Sequence, residues 1–274
     1  MFDEPRPPDH ALMQDPAFAT ALRLCGQRPV TLPGGRTVLM QRIAGIRVAM
    51  LPRAVPPDDL TDQLRAVKLH RHPLILSPDM ACKLPHGLRL CQPRELAWLD
   101  LTGGIDQCRA RLHSKWRNQL RLAEKHRVRV TCKPMDPDPN SQILKQEQEQ
   151  CRLQGYLNWP APLTATFASV APKQTHLFRA CHNGQTIAHM LYLSHGATAT
   201  YHIGHTTPQG RAFAAHNLLL WGAVERFANL GYQRLDLGLL DPRTPALNHF
   251  KLRTGAISHQ TGGTYLCWRP LAHG

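Results

Sequence analysis

The stretch from Ala215 to Ala256, AHNLLLWGAVERFANLGYQRLDLGLLDPRTPALNHFKLRTGA, decides how the chain is read. Leu220, Trp221, Val224 and Phe227 recur at helical spacing, which predicts a long helix from about Arg211 to Asn229. Gly231 stands where a helix ends in a left-handed residue. Residues Arg234 to Leu237 alternate and predict a short strand carrying Asp236. A second, short helix is expected from Pro245 to Leu252, and it carries Phe250 and Lys251.

Upstream of this stretch, a helix is expected from Ser141 to Gly155. Strands are expected over Leu177–Cys181, Thr186–Ser194 and Thr198–Ile203, the first two joined by a His182-Asn183-Gly184 turn. A final strand covers Thr264–Trp268. The first half is less regular. Strands are expected over Thr37–Arg42, Ile46–Leu51, Leu74–Leu76 and Val128–Cys132, with a helix over Asp58–Val67. Met1 to Asp15 reads as a loose tail. One helix from Asp106 to His126 would bury Leu112, Trp116, Leu120 and Ala123, capped by Asp106. The proline-rich run KPMDPDPNS, Lys133 to Ser141, is the expected domain boundary, giving domains 16–135 and 141–274. The order of elements predicts a mixed α/β (α+β) layer fold.

Composition narrows the function. The 274 residues are 42% hydrophobic and 19% charged, as in a globular chain. Thirty-three Lys and Arg against 19 Asp and Glu leave +14, which favours anionic partners such as RNA, phosphorylated donors or acidic lipids. No apolar run reaches the length of a membrane span, and Met1 to Arg6 leads into no signal segment, so a cytoplasmic location is expected. The eight cysteines form no CxxC pair and no zinc spacing arises with the sixteen histidines, so no metal is expected. Neither a dinucleotide fingerprint nor a P-loop is present. No RNA-recognition, zinc-finger or helix-turn-helix signature supports stable DNA binding.

The quoted stretch resembles the C-terminal part of the FemAB-like branch of the GNAT acyltransferases. The residues that carry the resemblance are Tyr201 and Gly204 as Tyr-x-x-Gly, Gly231, Asp236 with Gly238, and Phe250-Lys251 with Gly255. The segment Arg117, Arg121, Ala123 and Lys125 is similar to the basic helix that precedes the second unit in that branch. The resemblance implies tandem GNAT-like units, the first degenerate and the second better defined. It implies transfer of an acyl or aminoacyl group to an amine, from acyl-CoA, acyl carrier protein or aminoacyl-tRNA. The chain is shorter than the peptidoglycan cross-bridge enzymes and lacks the coiled-coil arm found in some of them, which argues against the cross-bridge role but not against acyl transfer.

On this reading Lys251, Asp236 and Tyr201 are the candidate catalytic residues. Lys251 would bind a phosphate or assist an oxyanion, though a lysine at this position is also an ordinary solvated helix residue. Asp236 would hold the acceptor ammonium or act as base, or else cap a strand end or pair with Arg234. Tyr201 would donate to the reacting carbonyl, or simply pack. Asp241, opening an Asp-Pro loop, reads as a turn cap. The segment Gln209, Gly210, Arg211, Ala212 and Ala214 is the expected donor-phosphate loop, with Ala212 where the family has glycine. His205 and Phe250, with Arg117 and Arg121, are the expected substrate-binding residues. Cys181 before His182-Asn183 is not a triad, because adjacent strand residues point apart. The donor expected is acyl-CoA, the acceptor a small-molecule, lipid or peptide amine. The alternatives are aminoacyl-tRNA as donor, with tRNA a partner, and a non-catalytic GNAT-like binding protein.

Overall fold

The computed structural model describes residues 10–83 and 87–268. These divide into two compact units, residues 10–96 with 259–268, and residues 97–258. The units do not follow the proline-rich run. Residues 97–135 belong with the later unit, and residues 259–268 with the earlier one. The tail expected up to Asp15 lies outside the described residues for Met1 to Asp9, and Leu12–Gln14 forms a single 3-10 turn.

The unit of residues 10–96 and 259–268 starts with helix α1 (Pro16–Leu24), capped by Asp15 through Ala17 N. Then come β1 (Val30–Thr31), β2 (Thr37–Ile43), β3 (Ile46–Pro52), α2 (Leu60–Ala66), β4 (Leu74–Ser77) and β5 (Leu88–Cys91). The sheet order is β1-β2-β3-β4, the chain's last strand Thr264–Cys267, then β5. Alternate residues Ala49 and Leu51 of β3, with Leu74 and Leu76 of β4, build the core with Leu60 and Leu64 of α2.

The unit of residues 97–258 begins in β6 (Glu95–Asp100) and continues through α3 (Gly104–Arg111), α4 (Ser114–Lys125), β7 (Arg129–Lys133), α5 (Gln142–Gln154) and α6 (Ala161–Val170). It goes on with β8 (Thr175–His182), β9 (Gln185–His195), β10 (Thr198–Thr206), α7 (Pro208–Ala212) and α8 (Ala215–Asn229). Strand β11 (Arg234–Leu239), α9 (Pro245–Leu252) and β12 (Ile257–Gln260) complete it. The sheet order is β12-β6-β11-β10-β9-β8-β7. Phe178, Tyr192 and Phe227 are buried ring against ring under α8. Each such side chain contributes roughly 1.5–3 kcal/mol by leaving water.

Two helices expected as single pieces are broken. The 106–126 helix stops at Arg111 because Leu112 and His113 are extended. Gly103, not Asp106, occupies the cap of α3, and the His113 ring caps α4 through Lys115 N at 3.2 Å. The 211–229 helix is broken at Ala214, which is left-handed with φ 48°. By contrast α9 has the expected ends, and Asn183 and Gly184 both have positive φ, as a tight hairpin turn requires. No helix among the described residues is long and apolar enough to cross a membrane.

Candidate active site

The site begins where two strands part. Parallel pairing of β10 with β11 covers only Thr198–Thr200 against Arg234–Asp236. Strand β10 runs on to Thr206, three residues beyond its expected end. A bulge at His202 shifts the register against β9, so that Tyr201 pairs with Tyr192 and Gly204 with Met190. Residues three apart on a regular strand face opposite ways. The extra residue puts Tyr201 and Gly204 on one face. A side chain on Gly204 would collide with the Tyr201 hydroxyl. That is the physical content of Tyr-x-x-Gly.

On this face lies a cavity of about 240 Å³ lined by Tyr201, Gly204, Arg211, His216, Phe250 and Lys251, with Gln150 and Gln154 from α5. Leu220 and Leu237 give it apolar wall. Lys251 is 6% exposed and its Nζ donates to the Leu239 carbonyl at 2.7 Å. It is therefore not the solvated helix residue that an isolated Phe-Lys-Leu would suggest. Burial pulls its pKa down to about 8, against the upward pull of the Asp236 and Asp241 carboxylates. Burial raises the Tyr201 phenol, so its hydroxyl stays protonated and can donate. His216 Nε2 bonds the His205 carbonyl at 3.0 Å. A carbonyl only accepts, so Nε2 carries the proton and Nδ1 keeps its lone pair. Burial lowers the pKa of His216, which keeps the ring neutral.

The motif glycine Gly255 also has a reason. Its φ is +89°, and a Cβ there would lie 2.7 Å from Arg111 Cβ. In the same turn the Arg253 carbonyl accepts from His113 N at 2.9 Å. Thus α9 is seated against the break between α3 and α4.

Several expected site residues lie elsewhere. Asp236 is buried, and its Oδ1 accepts from Gly238 N at 2.8 Å, two residues further along β11. It does not line the cavity, and acts on Lys251 only as a nearby charge. Arg234 lies over the Trp98 ring at 3.9 Å. Asp241 caps its turn through Arg243 N and holds the Arg243 guanidinium. Arg117 turns inward and donates to the Leu112 carbonyl at 2.9 Å, where the helix breaks. Arg121 is exposed, and neither arginine lines the cavity. His205 points to the opposite face of β10 from Tyr201. His202 is the bulge residue, bonded to Thr164 and lowered by burial to about 3.

The donor loop departs from a phosphate cradle. Gly210 N donates to Thr207 Oγ1, Arg211 N to Thr207 O, Phe213 N to Gln209 O and Ala214 N to Arg211 O. Those amides are engaged within the loop. Gly210 is needed for packing, since a side chain would strike the Ile187 carbonyl and the Thr206 hydroxyl. Gln209 and Ala212 are exposed, and Ala214 is the left-handed break. Only Arg211 of this segment reaches the cavity, and its Nη1 donates to Thr206 O at 3.0 Å.

Sequence reasoning missed Gln150, Gln154 and Glu147. Gln150 Nε2 bonds both Tyr156 Oη and the Gly204 carbonyl. Buried Glu147 accepts from Tyr156 and Asn158. The only signal was the glutamine-rich run of α5, which reads as solvated helix.

The comparisons fit this geometry. A family model described as an acetyltransferase (GNAT) domain matches residues 109–251. The crystal structure of FemX superposes with a TM-score of 0.74 at 13% identity, over 96% of this chain and 94% of that one. The C-terminal domain of a putative lysylphosphatidylglycerol synthetase from Agrobacterium fabrum matches with a TM-score of 0.58 at 14% identity, over 95% and 90%. L-PGS from Bacillus licheniformis matches with 0.53 at 12%, over 98% and 93%. No curated protein matches in sequence. With the family model spanning more than half of its length, the chain belongs to the GNAT acetyltransferase domain family, and its fold is similar to that of FemX.

Proposed function

We propose that the protein transfers an acyl group from acyl-CoA to an amine. The observation that carries this reading is Lys251, a buried cation on the wall of a small cavity beside the parting strands. The amine nitrogen attacks the thioester carbonyl, and a tetrahedral oxyanion forms. The Lys251 ammonium and the Tyr201 hydroxyl are the donors that meet the developing charge. His216 Nδ1 takes the amine proton as the new C–N bond forms. Collapse of the intermediate breaks the C–S bond, and the thiolate leaves.

Cavity chemistry favours a neutral acyl group. Arg211, Lys251 and neutral His216 line it, and no carboxylate does among the described residues. An aminoacyl ammonium would meet two cations in the lining, with the Asp236 and Asp241 carboxylates set behind it. A second reading, an aminoacyl-tRNA donor, draws on another observation. The loop amides that would cradle the CoA diphosphate are already engaged. The likeness to FemX and the net charge of +14 lean the same way. In the non-catalytic alternative, Lys251 would be a packing residue and no amine-dependent thiol release would occur.

The test is thiol release from acetyl-CoA and a longer acyl-CoA across a panel of amines, run beside transfer from bulk charged tRNA. Amine-dependent thiol release is expected. It should fall about 10²–10³-fold in Lys251→Ala and about 10²-fold in His216→Gln, with acyl-CoA binding retained. Product from charged tRNA alone would overturn the thioester reading. Turnover unchanged by Lys251→Ala would overturn the mechanism.

A further inference from the structure

The opposite face of the sheet carries a second cavity, of about 300 Å³, within the same unit. Its floor is a cross-strand row. Arg179 of β8 pairs with His189 of β9, which pairs with His205 of β10. The two imidazoles stack with centroids 5.6 Å apart. The first turn of α5 forms another wall, with Ser141 at its cap.

Four groups on these walls lack the same kind of partner. Arg179 is half-buried and forms no ion pair or hydrogen bond among the described residues. His189 is 3% exposed, and its Nε2 has no hydrogen-bond partner. The Ser141 hydroxyl has none either, and it caps no amide of α5. A cap serine ordinarily accepts from a first-turn amide. Here α5, thirteen residues long, presents its first turn without that acceptor. A guanidinium, an imidazole N–H, a hydroxyl and helix N-terminal amides are all donors. Each is met by an oxygen-rich anion, and the positive end of the helix dipole favours the charge. His189 stays neutral, since burial first, and then the neighbouring His205 and His216 rings and the Arg179 guanidinium, lower its pKa to about 3. It can therefore donate one N–H without adding a buried charge. Two carboxylates oppose an anion, Asp136, exposed at the rim, and buried Glu147, which acts as a charge on His205.

We infer that this cavity is a binding site for a phosphate monoester or free phosphate, separate from the reactive cavity and held by Arg179, His189, Ser141 and the start of α5. The two cavities use alternate residues of β9 and β10. Met190 and Gly204 face the reactive one, His189 and His205 this one. Helix α5 serves both, with its first turn here and Gln150 and Gln154 there.

The test is NMR of the full chain with ¹⁵N-labelled histidine, titrated with inorganic phosphate. Saturable shifts of the His189 and His205 rings are expected, with a Kd below about 10 mM. Arg179→Met should weaken binding at least about tenfold. Asp136→Asn is at the exposed rim and leaves the fold intact, and it should tighten binding about two- to threefold at low salt. Lys251→Ala should leave phosphate binding unchanged. Repeating the titration with saturating CoA tells the sources apart, and no displacement is expected. Displacement by CoA would overturn the separateness of the site and assign the phosphate to the donor. Absence of saturable shifts, unchanged affinity in a folded Arg179→Met protein, or no tightening in Asp136→Asn would overturn the site itself.

Discussion

Two segments of the same unit were expected to meet the donor, one that keeps the acyltransferase family's motif and one that matches it poorly, and they behave differently. The segment from Phe250 to Gly255 keeps its motif and delivers a side chain, Lys251, into the cavity. The segment from Gln209 to Ala214 loses a motif glycine and spends its backbone amides on itself. A site built from a side chain survives changes in the surrounding loop, provided that the helix beneath is seated. A site built from backbone N–H groups needs every φ/ψ in the loop to point donors outward, so one altered turn removes it. The difference is sharpest if Lys251 acts as a charge. Its pKa is lowered to about 8 by burial, so the ammonium is present below that pH and lost above it. Transfer should therefore decline as pH rises past about 8, even though the acceptor amine becomes more nucleophilic. Lys251→Arg, whose guanidinium does not titrate in this range, should be slower but lose that alkaline limb. A limb that persists in Lys251→Arg would assign it to another group. The same shift has a stability signature. Between about pH 8 and 10.5 the unfolded chain binds the proton that the folded one has released, so folding gains stability as pH rises through that window.

The seat of α9 is the next place to break the comparison. Gly255 combines φ +89° with a close approach to Arg111. Gly255→Ala is expected to cost about 1–3 kcal/mol through backbone strain and overpacking. The checks are a denaturant midpoint and the turnover of the folded fraction. A loss of stability with turnover preserved would show that the glycine seats the helix without tuning Lys251. An unchanged midpoint would mean that the turn against Arg111 carries no strain.

Much of this was legible locally. The ends of α9, the Asn183-Gly184 hairpin and the stripe of α8 follow from residues within one turn of each other. The contents of the cavity were partly legible, but through family resemblance and not through spacing. Tyr201, Phe250, Lys251 and Arg211 come together, whereas Asp236, His205, Arg117 and Arg121 do not. The misses have non-local causes. The bulge at His202 is set by pairing with β9, so the facing of Tyr201, His202 and His205 could not be read from alternation alone. The break at Leu112 is held by Arg117 and by Arg253, more than a hundred residues away. The proline-rich run lies between β7 and α5, inside one unit, because strand pairing and not composition defines where a unit closes.

Arg211 carries the smallest effect and closes the comparison. It is the only residue of its loop that reaches the cavity, and its guanidinium is largely exposed. If the loop amides hold no phosphate, Arg211 is the part of this loop that meets the donor's charge. An exposed charged contact contributes about 0.2–1 kcal/mol, so Arg211→Ala should raise the KM for acyl-CoA roughly two- to fivefold and leave kcat unchanged. The rise should shrink with added salt. A much larger effect, with kcat falling as well, would mean that the loop rearranges around the donor and presents its amides after all. The backbone site would then exist only with ligand bound, and the contrast between the two segments would be one of order of assembly. No effect at all would place the donor's phosphates away from this loop and leave α9 as the only family segment that acts on the donor.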